Sequence, residues 1–302
     1  MNTGENGQGR GLSYMRGWLT FCLMVCLFVV PACSRNDTAS SPPASSEAAT
    51  SEDEATEWLT KAKTAAAQKM NKYGFELRMS QKIGEGNAGE PAQVEIDMQG
   101  RAERNPLKLD QTIKSNIDGE ASTLRSIVVP EAYYMYIPEY EEWSKLSKDV
   151  AAENIATLSD YQVNPDRAIE SIRKLGSSLQ AARKGNVVTV RYEGTGPEAS
   201  VFMAGLLEST LGITGEQKDI VNSLEVQKLK VILTLDADRH WPLTYRIESD
   251  FNIELEPGQK TTVNQTLAGT YSEHNVSAAI TVPKEAQEAL DPDELGKELG
   301  LE

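Results

Sequence analysis

From Tyr73 onward, apolar side chains recur at every second position in one segment after another. Phe75, Leu77 and Met79 share a face, as do Val94, Ile96 and Met98, and then Leu107, Leu109 and Ile113. Leu124 with Ile127 to Val129 follow, then Tyr133, Met135 and Ile137, and a short segment around Trp143. The period returns at Val188, Val190 and Tyr192, at Leu229 to Leu235, at Leu243 to Leu255, at Val263 to Tyr271, and at Val276, Ala278, Ile280 and Val282. Turn-forming residues separate these runs: Gly84 to Gly89, Asn105-Pro106, Asp118-Gly119, Lys184 to Asn186, Asp236 to His240, Pro257-Gly258 and His274-Asn275. One apolar and one wet face per strand is the signature of an antiparallel sheet. About ten such strands in succession predict a single large, strongly curved sheet.

Helical spacing appears where it can cover that sheet. Ser51 is placed to cap a helix whose first turn carries Glu52, Asp53 and Glu54, and Trp58, Leu59, Ala62, Ala65, Ala66 and Met70 form its apolar stripe. Lys148 to Leu158 is helical in pattern; Asn164 and Pro165 open a second helix that ends at Gly176. Pro197 opens an apolar helix through Phe202, Met203, Leu206, Leu207 and Leu211, and Gly215 to Leu224 gives a shorter one. The predicted architecture is α+β, one domain in which a large curved antiparallel sheet wraps over several helices. A division into two parts near Leu146 to Gly176 is the second choice.

The N-terminus has a different character. Arg16 precedes Trp18 to Val30, an apolar run of signal-peptide length that is too short to span a bilayer comfortably. It ends in Val30-Pro31-Ala32-Cys33, which resembles the lipobox of bacterial lipoproteins, where cleavage precedes a Cys that is diacylated on sulfur. Counting from Met15 instead of Met1 gives a signal of ordinary lipoprotein length. The expected organisation is a signal peptide over 1–32, Cys33 and a Ser/Pro-rich tether over 33–51, the sheet domain over 52–283, and an acidic tail of helical composition over 284–302. The localisation that follows is the extracytoplasmic face of the cell membrane, held by the two acyl chains on Cys33.

Composition narrows the function classes. With 30 basic and 45 acidic side chains the chain carries a net charge of −15, which repels phosphate backbones, so no nucleic-acid partner is expected. Of the three Cys, Cys22 and Cys26 lie in the segment to be removed and Cys33 is the acyl acceptor. No intrachain disulfide and no Cys nucleophile are expected in the mature chain.

Few motifs carry chemistry. Gly84 to Gly89 matches GxGxxG, but Pro91 and an alternating strand follow where a dinucleotide site needs a helix, so it reads as a hairpin loop. His240 and His274 lie in turns without metal-ligand spacing and read as surface residues. Asp236-Ala237-Asp238 lacks the remaining positions of a calcium loop, and no Gly-x-Ser-x-Gly elbow occurs. No metal, cofactor or catalytic residue is expected, and the protein reads as a non-enzyme. The most distinctive local feature is the aromatic group Tyr133, Tyr134, Tyr136, Tyr140 and Trp143: cross-strand packing by the simpler reading, a cavity wall or rim by the functional one.

The lipobox, the tether, the opening helix, the meander containing YYMYIPEYEEW (Tyr133 to Trp143), the helical insertion and VILTLDADRHWPLTYRI (Val231 to Ile247) together resemble the LolA/LppX-like superfamily, and more closely the uncharacterised surface lipoproteins of Gram-positive bacteria with this fold. The resemblance implies a half-barrel closed by helices, with an apolar cavity that takes acyl chains. Its candidate lining here is Phe75, Leu77, Met79, Met98, Tyr133, Met135, Phe202, Met203, Leu206, Leu233 and Ile247, with the Pro197 to Leu211 helix as a lid. The expected function is binding of a hydrophobic ligand, a lipid or acylated molecule. The alternative is a module with a fully packed interior that interacts with an envelope protein partner. Because sulfur is the acyl acceptor of the lipobox, Cys33→Ala should leave unprocessed precursor and remove the protein from the detergent phase on phase partitioning; wild-type partitioning of the variant would refute the anchor.

Overall fold

The structure, a computed structural model, describes residues 52–85, 90–211 and 217–292. The expected signal peptide, Cys33, the expected tether, Ser51, residues 86–89, Gly212, Gly215 and the end of the tail lie outside the described residues. In chain order the elements are α1 (Glu52–Lys69), β1 (Lys72–Glu85), β2 (Ala92–Arg104), β3 (Leu107–Ile117), β4 (Glu120–Val129), β5 (Ala132–Ile137) and β6 (Glu142–Lys145). Then come α2 (Lys148–Ala156), α3 (Asp160–Val163), α4 (Pro165–Arg173), a 3₁₀ turn (Gly176–Ser178), β7 (Gln180–Lys184) and β8 (Val187–Gly194). The chain continues with α5 (Pro197–Leu211), α6 (Lys218–Asn222), β9 (Glu225–Asp236), β10 (Pro242–Glu256), β11 (Gln259–Ser272) and α7 (Lys284–Gln287).

The eleven strands form one antiparallel sheet in the order β6-β5-β4-β3-β2-β1-β11-β10-β9-β8-β7. It is two meanders, β1 to β6 and β7 to β11, joined where the first strand pairs with the last, from Gly74 opposite Ser272 to Glu85 opposite Thr261. The sheet stays open, with β6 and β7 as its edges, so the architecture is an α+β half-barrel. Short turns set the register. At the β3–β4 hairpin, Asp118 and Gly119 take φ of 51° and 91°, the left-handed pair that matches strand twist, and the Asp118 carboxylate accepts from Gln93 N at 2.7 Å.

Alternation then decides which side chains face inward. Tyr73, Phe75, Leu77 and Met79 of β1, Leu229 to Leu235 of β9, Tyr245, Ile247, Phe251 and Ile253 of β10, and Val263, Leu267 and Tyr271 of β11 are buried in one core with the helices. Two aromatic rings on this face need glycine opposite them. A Cβ on Gly100 would lie 2.9 Å from the Phe75 ring and 2.6 Å from the Asp110 carbonyl, and one on Gly269 would collide with the Tyr245 hydroxyl. Helix α1 buries Leu59 and the small residues Ala55, Ala62, Ala65 and Ala66, which bring it close to its neighbours, and Met70 is buried just past its end. Lys63 pairs with Glu170 of α4 at 3.0 Å. Arg104 of β2 donates to the Ala66 carbonyl at 2.7 Å and pairs with Asp166, which ties both helices to the sheet.

Three expectations change. Val276 to Val282 forms no strand. Both flanks of β11 are already taken by β1 and β10, and positive φ at Glu273 and Asn275 turns the chain off the sheet. The segment crosses the outer face instead: Arg101 donates to the Ala278 carbonyl at 3.5 Å, Ile280 N donates to Glu103 at 2.9 Å, Ala286 is fully buried, and Asp291 pairs with Lys145 of β6. Gln180 to Lys184, unremarkable in pattern, is edge strand β7 with Ala181 as its buried residue. The second helix of the insertion stops at Arg173, and Gly176, at φ 68°, opens the 3₁₀ turn.

Ile247→Ala and Leu233→Ala, neighbours on the inner face of β10 and β9, should each cost about 2–5 kcal/mol in denaturant unfolding; near-zero cost for both would show that this face is not core. Glu170 supplies an acid-range effect. The Arg173 guanidinium, helped by Lys63 and opposed by partial burial, holds its carboxyl down at about 2 against an ordinary 4.5. A depressed folded value means stability that is present above 4.5 and lost as pH falls toward 2. Glu170→Gln should flatten the stability curve in that window and leave its shape at neutral pH unchanged.

Candidate functional site

The inner face is laid out in rows across the strands. At one end, Tyr73, Ala102, Leu109, Val128 and Tyr133 face each other across β1 to β5, and all five are buried. Two rows along, Leu77 is opposite Met98, Met98 opposite Ile113, and Ile113 opposite Leu124; here Leu77 is covered while Met98, Ile113 and Leu124 are half-exposed. Ile83, Val94, Ile96, Met135 and Ile137 are half-exposed on the same face. The half-barrel is thus closed at the Tyr73 end and leaves apolar surface uncovered on β2 to β5 toward the other. Across β7 to β11 the corresponding positions are buried.

The structure brings the sequence-derived lining together. Phe75, Leu77, Met79, Tyr133, Phe202, Met203, Leu206, Leu233 and Ile247 lie in one continuous core, and Met98 and Met135 pack against it half-buried. Helix α5 buries one stripe, Ala199, Phe202, Met203, Leu206 and Leu207, and leaves Val201 67% exposed. The aromatic group divides between two faces because alternation separates its members. Tyr133 points inward; Tyr136 and Trp143 meet on the outer face as tilted rings with centres 5.3 Å apart, Arg125 lying over Trp143; Tyr140 is 76% exposed. Of the five, Tyr133 belongs to the inner wall.

Sequence reasoning missed two sets of buried polar groups on this face. Gln162 of α3 donates to Gln111 at 2.8 Å and accepts from Ser159 N at 3.1 Å, while Gln111 donates to Ser126 at 3.2 Å. The other set is Gln81, Gln265 and Ser249, in register on β1, β11 and β10. The signal was present, since each occupies an apolar-parity position in its strand, but only the register shows that they meet. At the closed end Tyr73 donates to the Gln162 carbonyl at 2.7 Å and Tyr271 to the Tyr161 carbonyl at 2.8 Å. Desolvation pushes the hydroxyls of Tyr73, Tyr161, Tyr245 and Tyr271 well above the usual phenol value, which keeps them neutral; those of Tyr161 and Tyr245 are buried without a partner.

The outer face carries a polar depression of about 450 Å³ bordered by Gly74, Gln99, Thr112 and Glu273. The Asp110 carboxylate sits in it between Arg101 at 2.9 Å and Arg125 at 3.1 Å, so both cations are already matched. The two His are half-buried beside tryptophan instead of free on the surface: His240 lies 5.5 Å from Trp58, and His274 stacks on Trp241 at 4.8 Å with Nε2 3.0 Å from the Pro242 carbonyl. Among the described residues no group of three or more His, Cys, Asp or Glu is placed to hold a metal.

Comparison with the curated proteins finds no match. Among solved structures the chain is similar to LprF from Mycobacterium bovis, with 11% identity and a TM-score of 0.40 over 78% of this chain and 98% of that one. It is also similar to a DUF1329 family protein from Desulfovibrio piger, at 11% identity and a TM-score of 0.23 over 76% and 96% of the two chains. A beta-barrel-like protein of the domain of unknown function DUF1849 from Brucella abortus shares 9% identity and a TM-score of 0.21 over 66% and 96%. The model of a family of unknown function, DUF6612, matches residues 54–291, a span that starts in the first turn of α1 and ends at the Asp291 that pairs with β6. The chain belongs to the DUF6612 family.

Proposed function

We propose that this protein is a lipid-anchored binding protein, held at the extracytoplasmic face of the membrane through diacylated Cys33, that takes a hydrophobic ligand on the open part of the inner face. The observation that carries the reading is the row Met98–Ile113–Leu124, together with Ile96 and Met135: apolar side chains on the side of the sheet that helices cover elsewhere, half-exposed where a soluble domain would bury them. Contiguous uncovered apolar surface marks a binding site more often than waste. Methionines at 98 and 135 suit a flexible ligand, because an unbranched thioether adapts its shape. The buried tyrosines and neutral amides give that face hydrogen-bonding capacity without charge. The role is binding, not catalysis.

Organic-solvent extraction of purified protein followed by mass spectrometry should release a lipid-class molecule in roughly stoichiometric amount. Ile113→Trp, which fills the middle of the open row, should lower the affinity for a fluorescent phospholipid probe at least about tenfold, a loss near 1.4 kcal/mol, with the thermal midpoint unchanged. Leu206→Trp tests whether α5 forms the opposite wall and should weaken the same probe. No extracted molecule together with no probe binding would overturn the reading and leave a packed module that docks an envelope protein.

A further inference from the structure

The two polar sets on the inner face differ in one respect. The Gln111–Ser126–Gln162 set closes on itself and on the α3 N-terminus. The Gln81–Gln265–Ser249 set stops short. Gln81 donates to the Gln265 carbonyl oxygen at 2.6 Å, and there the bonding ends: the Gln265 Nε2 and the Ser249 hydroxyl are buried with no partner. The three residues are 3%, 3% and 1% exposed. Their neighbours two positions along each strand are apolar: Met79 and Ile83, Val263 and Leu267, Ile247 and Phe251. Buried donors without acceptors are rare in folded proteins, and two on adjacent strands pointing to the same face call for an acceptor.

We infer that this row is the polar subsite of the hydrophobic-ligand face and that it accepts the uncharged carbonyl oxygen of an acyl ester, selecting esterified lipids over free fatty acids. The inference rests on the hydrophobic-ligand reading above. The row leads out to the open side, since Gln81 is opposite Val94 and Val94 opposite Ile117, both half-exposed. A chain lying on Met98 and Ile113 can therefore place its head group at Gln265 and Ser249. Selection against a carboxylate follows from charge. The row holds no cation, and it ends at Glu120, opposite Ile117, whose Oε2 is itself buried without a partner. The guanidinium of Arg104, at the closed end, is engaged by Asp166 and the Ala66 carbonyl. An amide N–H and a hydroxyl satisfy a neutral carbonyl oxygen, whereas a buried carboxylate needs a counter-charge that this row does not supply.

The test uses cis-parinaric acid and its methyl ester, which share one fluorescent chain and differ in the head group, titrated at pH 7 into the purified, delipidated full chain. The ester should bind at least tenfold more tightly than the acid. The double variant Gln265→Leu, Ser249→Ala should lose that preference by weakening ester binding to the level of the acid. Its thermal midpoint should stay close to that of the wild type, because the removal of two unsatisfied buried groups is offset by the Gln81 Nε2, which loses its acceptor. Equal binding of the two probes by the wild type, or an ester preference that survives in the double variant, would overturn the subsite and leave the hydrophobic-ligand reading standing. Binding of neither probe would overturn both.

Discussion

The pairing of β1 with β11 governs everything else in this domain. Twelve residue pairs, from Gly74–Ser272 to Glu85–Thr261, bring the two ends of the sheet domain into the centre of the sheet. Each meander alone pairs strands that follow one another in the chain, through short turns except where α5 and α6 separate β8 from β9, and has one apolar face. Their junction puts those faces on the same side, so that a single group of helices covers both. Because side chains alternate with period two, a slip of one residue here would turn Phe75, Leu77 and Met79 outward against a correctly placed Leu267 and Tyr271. Within each meander the fit of the Tyr245 ring over Gly269, on β10 and β11, and of Phe75 over Gly100, on β1 and β2, holds the register in the same way, since a one-residue shift there puts a Cβ under each ring.

Much of this was legible in the sequence, because hydrophobic alternation reports strand faces directly. The inward set Phe75, Leu77, Leu233 and Ile247 needed only the period, and α1 only its stripe of alanines and leucine. What the period cannot report is how many neighbours a strand already has. Val276, Ala278, Ile280 and Val282 alternate as well as any strand in the chain, yet Val276 is 78% exposed and Ile280 buried, because β11 is saturated on both sides. β7 was invisible for the opposite reason: its single buried Ala181 leaves no alternation to see. The polar row was half-visible. Gln81 interrupts the apolar parity of β1 and Gln265 that of β11, but their meeting depends on pairing across most of the chain.

The inner and outer faces handle polarity differently. Outside, charge is matched by charge: Asp110 between two arginines, Lys145 with Asp291, Lys228 with Glu248. These pairs are partly solvated and fix position more than they add stability. Inside, apart from Arg104 paired with Asp166 and from Glu120 at the end of its row, the polar groups are amides, hydroxyls and phenols, with burial keeping the tyrosines protonated. A low-dielectric surface furnished with neutral donors is an environment for molecules that are mostly hydrocarbon and carry oxygen acceptors, and it discriminates against ions by desolvation alone.

The segment that crosses the outer face has a consequence at the other end of the chain. Asn275, at its start, accepts hydrogen bonds from the backbone N–H groups of Asn71 and Lys72 and donates to the carbonyl of Lys69, the last residue of α1. The helix is finished by a side chain 206 residues away, where local sequence usually supplies the cap. The end of α1 and the crossing segment are therefore coupled, so that loss of one is expected to weaken the other. Any partner that lifts the segment from β2 to β6 also loosens the end of the helix that leads into the central strand, which gives the outer surface a mechanical hold on the inner one.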